Sequence, residues 1–350
     1  MFTRLFGGKV GADERTARLA SAANLVAPRP GEPVFAEAVP SEVTVAFHAH
    51  DNVEGLLGNF LTAVTHGLVS SGQRELALTM RLGNREQPVA KMLELVRFFT
   101  TVHVWAQQGN VVDEGGFTQF GERGLFERAH CGLLYSDARA IKGVDFPERA
   151  LAAIFVDAQE IRAALDYGAY RVLTRIGAQL RLFPFPTWGA LDRPSAVTAR
   201  ESESILAKVA RMRVRGASFL VADQCLRVTI PSDAKHLSSG VPALPAGAPF
   251  ALLTRPAAGA NAILLWRPGQ TEMVGISPDG SDGSRLSGSF LMVAPGEGAD
   301  RACPIEDGYS LLLSNESRVL FSSALAAQRP LSLVLSGGMR LELEWQPERS

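Results

Sequence analysis

The sequence predicts an α+β protein of two lobes, in which amphipathic helices pack on mixed or antiparallel sheets and the second lobe is rich in strands. Three observations support this prediction. Before residue 190, apolar residues recur at helical spacing in several segments, whereas after it short apolar runs bounded by turn residues dominate. The 350 residues also suffice for two lobes at roughly 150 residues each. We therefore divide the chain into an N-terminal tail or arm (1–40), a first α+β lobe (41–190) and a strand-rich second lobe (191–350).

The first lobe is predicted to begin with a strand and a helix. The preceding residues include the Pro-rich run 28–33, which cannot continue a helix and is typical of a tail. Val43, Val45 and Phe47 then show the period-2 pattern of a half-buried strand. From Val53 to Val64, apolar residues fall at i, i+3, i+4, i+7, i+8 and i+11, the stripe of an amphipathic helix.

The start and end of that helix also have sequence signals. Asp51 and Glu54 have the spacing of a capping-box pair, and Gly67 marks the end. A strand at 75–81 is predicted next, followed by a helix near Pro88, where the missing amide proton costs nothing. The remaining strands predicted in this lobe lie at about 125–136 and 150–156.

The first lobe is predicted to end with a helix and an extended segment. Asp157 and Glu160 are placed as another capping-box pair at the start of the helix. Residues 178–186 are interpreted as extended, because Pro184 and Pro186 remove ladder donors and suit a sheet edge. Residues 187–200 lack periodicity and are interpreted as the connection between lobes.

The second lobe is predicted to contain two helices and many strands. A helix at about 199–213 would have Thr198 and Glu201 as its capping box, and another is expected near 315–327. The strands are predicted at 217–222, 225–230, 249–255, 261–267, 271–276, 287–293, 308–314, 331–335 and 339–345.

Composition excludes several classes of function. Thirty-five basic and thirty-six acidic residues give a net charge of −1, which provides no long-range attraction for nucleic acid or an anionic membrane. The thirty arginines and five lysines indicate a GC-rich, bacterial genome. Three scattered cysteines form no zinc or disulfide pattern, and no export signal or membrane span is apparent, which favours the cytoplasm and excludes integral membrane association.

No motif predicts a cofactor or a catalytic nucleophile. The chain lacks a G-x-S-x-G elbow and both glycine-rich phosphate-binding motifs, so no cofactor is expected. The segment His48-Ala49-His50-Asp51 is the sharpest chemical candidate, since two histidines two residues apart on a strand share one face. It superficially resembles binuclear metallohydrolases, although Asn52 stands where they have a histidine. A metal-dependent hydrolase using His48, His50 and Asp51 is therefore the alternative hypothesis.

A set of short segments, in order along the chain, resembles one known family. They are His66-Gly67-Leu68, Ser70, Gly72-Gln73, Glu75, Gly109 to Val112, Arg175, Gly177-Ala178, Arg181-Leu182, Pro184, Pro186, Ile230-Pro231-Ser232, Gly288-Ser289-Phe290 and Ile305 to Gly308. Their arrangement is similar to the C-terminal domain of the endosomal adaptor family that includes the Smad anchor for receptor activation and endofin. The predicted start of the first lobe resembles, more loosely, the suppressor-of-fused superfamily, whose bacterial members include proposed immunity proteins.

The resemblance implies an interaction domain without catalysis. The zinc finger of the eukaryotic adaptors is absent, so their membrane and Smad-type partners do not carry over. The leading hypothesis is a cytoplasmic, non-enzymatic protein that binds a protein partner as an adaptor or scaffold does, with an immunity or accessory protein as its narrower form. His66, Gln73 and Arg181 are the candidate partner-binding residues. Structural alternatives are a helix cap for His66 and a carboxylate pair within the sheet interface for Arg181.

Overall fold

A computed structural model describes residues 25–83, 86–197, 204–245, 247–267, 274–278 and 282–347. Within these residues there are five helices, and twenty strands form three mixed sheets, so the α+β prediction is confirmed. The chain divides into two units, the first made of Met1–Arg162 and Pro186–Ser195, the second of Ala163–Phe185 and Ala196–Ser350. The chain thus passes from one unit to the other three times, whereas the sequence suggested one boundary at residue 190.

The first unit contains an eight-stranded sheet. Its strands are β1 (Val34–Val39), β2 (Val43–Val53), β3 (Leu56–His66), β4 (Leu76–Arg81), β5 (Phe117–Gln119), β6 (Gly132–Asp137), β7 (Leu151–Val156) and β8 (Trp188–Ala190). Their order is β1-β2-β3-β4-β7-β6-β5, and β8 also pairs with β4. Two predictions are therefore corrected, because part of the expected tail forms β1 and part of the expected connection forms β8.

The predicted helix from Val53 to Val64 is wrong, because this segment forms the turn of a β2–β3 hairpin and most of β3. Val53 pairs with Leu56, and the residues between them, Glu54 (φ 52°) and Gly55 (φ 82°), both have positive φ, as in a type I′ turn. The apolar stripe had another cause. From Phe60 to Thr65 every residue is buried, so the apolar side chains lie on both faces of the strand and not on one side of a helix.

Helix α1 (Pro88–Gln107) covers one face of this sheet and has Pro88 at its first turn, as predicted. Met92 and Phe99 of the helix belong to the same core as Phe47 of β2 and Leu61 of β3. The helix-start prediction at Asp157 is also confirmed. Asp157 Oδ1 accepts from the Glu160 amide at 2.9 Å, and Glu160 Oε2 accepts from the Asp157 amide at 3.1 Å.

Two helices follow that start, namely α2 (Ala158–Tyr167) and α3 (Ala169–Leu180). Arg181 ends α3 with a left-handed φ of 58°, so residues 178–180 are helical and not extended as predicted. Ile205–Lys208 forms a 3-10 helix and Ala210–Arg213 a strand. The helix predicted at 199–213 is thus wrong over 204–213, and its proposed capping box, Thr198 and Glu201, lies outside the described residues.

The second unit contains two sheets and two further helices. The sheet with the order β14-β13-β15-β10-β11-β20-β19 consists of β10 (Ser218–Ala222), β11 (Cys225–Pro231), β13 (Ala262–Leu265), β14 (Val274–Ile276), β15 (Leu286–Gly288), β19 (Leu331–Val334) and β20 (Arg340–Gln346). The sheet with the order β17-β18-β16-β12-β9 consists of β9 (Ala210–Arg213), β12 (Phe250–Leu253), β16 (Phe290–Pro295), β17 (Arg301–Ile305) and β18 (Gly308–Leu313). The helices are α4 (His236–Gly240) and α5 (Asn315–Ala326). One hydrophobic core takes side chains from both sheets and α5, for example Phe219, Leu311 and Phe321.

A buried ionic cluster in the second unit connects α3 to the turn between β17 and β18. Arg171 of α3 is 2% exposed and Asp307 of the turn is fully buried. The Arg171 guanidinium reaches both carboxylate oxygens of Asp307, with Nε–Oδ2 3.0 Å and Nη2–Oδ1 2.8 Å. It also contacts Glu306 (2.6 Å) and donates to Ser204 Oγ (2.9 Å).

The surroundings of this cluster are apolar and aromatic. The Arg171 guanidinium carbon lies 4.4 Å from the centre of the Trp266 ring, a cation–π distance. Burial raises the pKa of Asp307, and the charge of Arg171 opposes part of that shift. The Ser289 hydroxyl also donates to Asp307. The Ile305 to Gly308 run of the resemblance is thus a turn held by buried charge.

Replacing Gly67 by alanine should destabilise the protein far more than replacing Gly72. The two glycines flank the same 3-10 helix, Leu68–Ser71, and both have positive φ. A Cβ on Gly67 would lie 2.0 Å from the carbonyl oxygen of Glu42, whereas one on Gly72 would meet nothing within 4 Å. We expect Gly72→Ala to cost about 1 kcal/mol of unfolding free energy and Gly67→Ala more than about 3 kcal/mol. Urea unfolding measures both, and equal losses would contradict this account.

Removing Arg171 should leave Asp307 as a buried charge without a counter-ion. We expect Arg171→Met to lower the free energy of unfolding at pH 7 by about 3–5 kcal/mol. The control is Arg227→Met, because Arg227 is 46% exposed where it pairs with Glu342 and Glu344, and its loss should cost under about 1 kcal/mol. Urea unfolding of both variants is the measurement, and a similar cost for the two would refute the role of burial.

The same variant should have a distinct pH dependence. Without Arg171 the pKa of Asp307 rises further, so the folded variant takes up a proton at a pH where the unfolded chain does not. A raised pKa in the folded state favours folding at low pH, and this advantage is lost as pH rises. The deficit of Arg171→Met relative to the natural chain should therefore shrink from pH 7 to about pH 5.

Candidate interaction surface

Phe35, His48, His50 and Leu57 lie on one face of the sheet in the first unit, and we call this set the histidine strip. Residues two apart on β2 point to the same face, and Phe35 is paired with Ala46, while Leu57 is paired with Asn52. Phe35 is 61% exposed and Leu57 is 73% exposed, whereas the two histidines are half-buried. The strip therefore combines exposed apolar side chains with two imidazoles on a sheet.

The two histidines lie side by side, as the sequence predicted. Their ring centroids are 6.2 Å apart and their planes differ by 11°. Partial burial lowers the pKa of both imidazoles, and the proximity of His50 and His66 lowers the pKa of His48 further. His50 Nε2 is buried and has no hydrogen-bond partner among the described residues. Both imidazoles of the strip are therefore shifted toward their neutral form.

The arrangement does not form a metal site in the part of the chain that the structure describes. No group of three or more His, Cys, Asp or Glu side chains is positioned there to hold an ion. Asp51 is exposed and occupies the position between His50 and Asn52, so the alternation of β2 directs it to the face opposite the histidines. Asp51 also begins no helix, because the helix that it was expected to cap is absent.

His66 extends the strip at its border. It is exposed at the end of β3, opposite Thr44, and shares the face of His48 by alternation. The expectation that it caps a helix end is wrong, since β3 is a strand. Glu37 of β1 is also exposed on this face, two residues after Phe35.

Gln73 and Arg181, the other two candidate partner-binding residues, do not belong to the histidine strip. Gln73 is 1% exposed and pairs with the main chain of Val112, accepting from its amide at 2.8 Å and donating to its carbonyl at 3.1 Å. It fixes the Gly109 to Val112 segment, which accounts for its place in the resemblance. Arg181 belongs to the second unit, where it is exposed as the residue that ends α3.

Two residues of the strip, and the charge pair that is buried most deeply among the described residues, were not predicted from the sequence. Phe35 was assigned to the tail, Leu57 to a helix face, and Arg171 was not singled out. The available signal for Leu57 was the Glu54-Gly55 pair followed by Gly58, because glycine within a predicted helix favours a turn or bulge. Arg171 had no such signal, since its partners Glu306 and Asp307 are 135 residues or more away in sequence.

Comparisons with known proteins show similarity at the level of structure. No family model and no curated protein match the chain. The resemblance to the Smad anchor and endofin family therefore stays a prediction. One solved structure that is similar to this chain is that of Suppressor of Fused from Drosophila, with 9% sequence identity, a TM-score of 0.35 and coverage of 89% of this chain and 92% of that chain. It is a member of the superfamily named by the looser of the two predicted resemblances.

Proposed function

We propose that this chain is a non-enzymatic protein of the adaptor or scaffold kind, and that it binds a protein partner through the histidine strip. The observation that carries the proposal is the exposure of Phe35 (61%) and Leu57 (73%) on the same sheet face. The two side chains lie at opposite ends of the histidine pair, because they are opposite Ala46 and Asn52, about 20 Å apart along β2. Each is a separate apolar contact point, and exposed aromatic and aliphatic side chains provide much of the contact area of protein interaction sites. A sheet of eight strands also holds this surface in place before binding, which reduces the entropy lost on association.

The chemistry of the strip defines the kind of partner. Its centre has two imidazoles, whose lowered pKa favours the neutral form, between apolar ends, and Glu37 and His66 lie at its border. A partner surface with apolar or aromatic side chains at its centre matches this distribution, while charges at its rim would set orientation and association rate. An immunity or accessory protein dedicated to one cognate partner is the narrower form of this proposal.

We also propose the cytoplasm as the site of action. Cys131, Cys225 and Cys303 are all free thiols, as is usual in a reducing compartment. Burial raises the pKa of Cys131 to about 11, which keeps that thiol protonated and unreactive. No helix among the described residues is long and apolar enough to cross a membrane.

A charge placed in the strip should abolish partner binding. The tagged protein would be purified from its native host after mild crosslinking, with proteins and bound metal measured on the same eluate. We expect the natural chain to recover one recurrent partner near unit stoichiometry. The Phe35→Asp variant should not recover this partner, because binding would remove water from the new carboxylate. The matched control is Val319→Asp in the second unit, where the natural side chain is 53% exposed and lies outside the strip.

The outcomes of this experiment separate the proposal from its competitors. Recovery of the partner with the control variant, and not with Phe35→Asp, supports binding through the strip. Equal recovery with both variants would rule the strip out. A protein without partner that carries stoichiometric metal would contradict the non-enzymatic proposal.

Partner binding should weaken as pH falls. The partner removes more water from His48 and His50, so their pKa is lower in the complex than in the free protein, and protonation favours the free protein. Affinity should fall from pH 7 toward pH 5, by up to roughly tenfold for each pKa unit that separates the two states. Calorimetry with the purified partner would show a much smaller pH dependence for His48→Gln/His50→Gln. A variant with the same pH dependence as the natural chain would exclude the two histidines as its source.

A further inference from the structure

Within the described residues, seven strands of the three sheets pair on one side only, and five of these have features that discourage the addition of another strand. Such features are charge, proline, a bulge or very short length. In β1 the features are Glu37 and a register shift, in β5 and β8 a length of three residues, in β17 Arg301 with Pro304, and in β9 Arg211 with Arg213. Strand β14 borders residues outside the described range. The remaining edge is β19, whose sequence Leu-Ser-Leu-Val has no charge and no proline and whose pairing with β20 is regular.

Along β19, some main-chain groups point outward and have no partner in the part of the chain that the structure describes. The Leu335 amide donates to the Met339 carbonyl at 2.8 Å, which sets the alternation of bonds between β19 and β20. By that alternation, Leu331 and Leu333 bond to β20, whereas the amide and carbonyl groups of Ser332 and Val334 point away from the sheet.

Two further hydrogen bonds agree with this assignment. Arg340, which is opposite Val334, directs its amide away from β19 to the Gln224 carbonyl at 2.9 Å. Ser336, two residues after Val334, directs its amide outward to the Asp300 carbonyl at 2.7 Å. The outward row therefore has one satisfied donor at residue 336, followed by positions 334 and 332, which have no main-chain partner among the described residues.

The side chains of β19 define what could pair with it. Leu331 and Leu333 are half-buried against the core of the second unit, while Ser332 and Val334 face solvent, with Val334 79% exposed. An incoming strand would place alternate side chains beside the two leucines, where aliphatic residues extend the core. None of these four positions on β19 has a charge to select or repel the partner.

We propose that β19 binds an extended segment of a protein partner by strand addition, with aliphatic side chains at alternate positions of that segment. Main-chain groups spaced along four residues, about 14 Å, match only another extended backbone. A second copy of this chain is a poorer occupant, because two four-residue edges bury far less than the roughly 1,600 Å² of a typical stable interface. This surface belongs to the second unit and does not depend on the histidine strip.

The test uses the full chain and a labelled peptide with the sequence of β20, Arg-Leu-Glu-Leu-Glu-Trp-Gln, which is soluble and alternates leucine with polar residues. Val334→Pro removes an outward amide without removing a bond to β20, and Val334→Lys adds charge at the edge. Val319→Lys is the control, as an exposed valine of the same unit outside β19. Urea unfolding confirms that each variant is folded, and fluorescence anisotropy measures binding.

We expect the peptide to bind the natural chain and the control equally, and both Val334 variants at least tenfold more weakly. A scrambled peptide of the same composition should not bind, because its leucines no longer alternate. Equal binding by Val334→Pro, Val334→Lys and the natural chain, or equal binding of the scrambled peptide, would overturn strand addition. No binding of the β20 peptide to the natural chain would do the same. A dimer in sedimentation that Val334→Lys dissociates would also overturn the proposal, since the occupant would then be a second copy.

Discussion

The β2–β3 hairpin is the constraint on which the first unit and its candidate surface depend. Its two strands are eleven residues each and are joined by only Glu54 and Gly55. The turn with two positive φ values and the register shift between His50 and Asn52 together fix the register. Because the side-chain period of a strand is two, a shift of one residue would exchange the faces of β2. Phe47 would then leave the core, and His48 would enter it. Burial of Phe47 and exposure of the histidine strip are therefore two results of the same register.

The second unit depends on a different kind of interaction, a charge pair without access to water. Such a pair contributes little net stability compared with apolar residues of the same shape, because both ions lose their hydration. The effect of the pair is to favour one arrangement of α3 and the β17–β18 turn over other arrangements. Arg171 has fixed donor directions, and these are matched by Asp307 on one side and by Ser204 with Glu306 on the other. Glu306 also accepts from the Ile205 amide at 2.7 Å, so one side chain of α3 positions two segments that are about a hundred residues apart. Any alternative packing of α3 would leave a buried carboxylate unpaired.

Local signals in the sequence predicted local structure well. The Asp157–Glu160 capping box, the Pro88 helix start and most strands of the second unit are at the expected positions, since each depends on residues within a few positions of one another. Failures occurred where tertiary burial changed the meaning of a pattern. From Phe60 to Thr65 both strand faces are covered, so the apolar residues imitated a helical stripe. The adjacency of His48 and His50 followed from strand alternation and was predictable, whereas the contribution of Phe35 required the pairing of β1 with β2. Arg171 could not be found, because its partners come together only in the folded chain.

The two proposed surfaces differ in how they would recognise a partner. The histidine strip presents side chains, so its selectivity depends on shape and on the protonation of two imidazoles, and a single substitution in the partner could weaken it. The edge of β19 presents main-chain groups, which every extended segment can match, so its selectivity depends only on the alternation of side chains beside Leu331 and Leu333. An unprotected edge is also an aggregation risk, and five of the other edges show that this chain has the means to protect edges by charge, proline, bulge or short length. Because one lysine at position 334 would have protected β19 at little cost to folding, its unprotected state is better explained by pairing with a partner strand than by a limit of the fold.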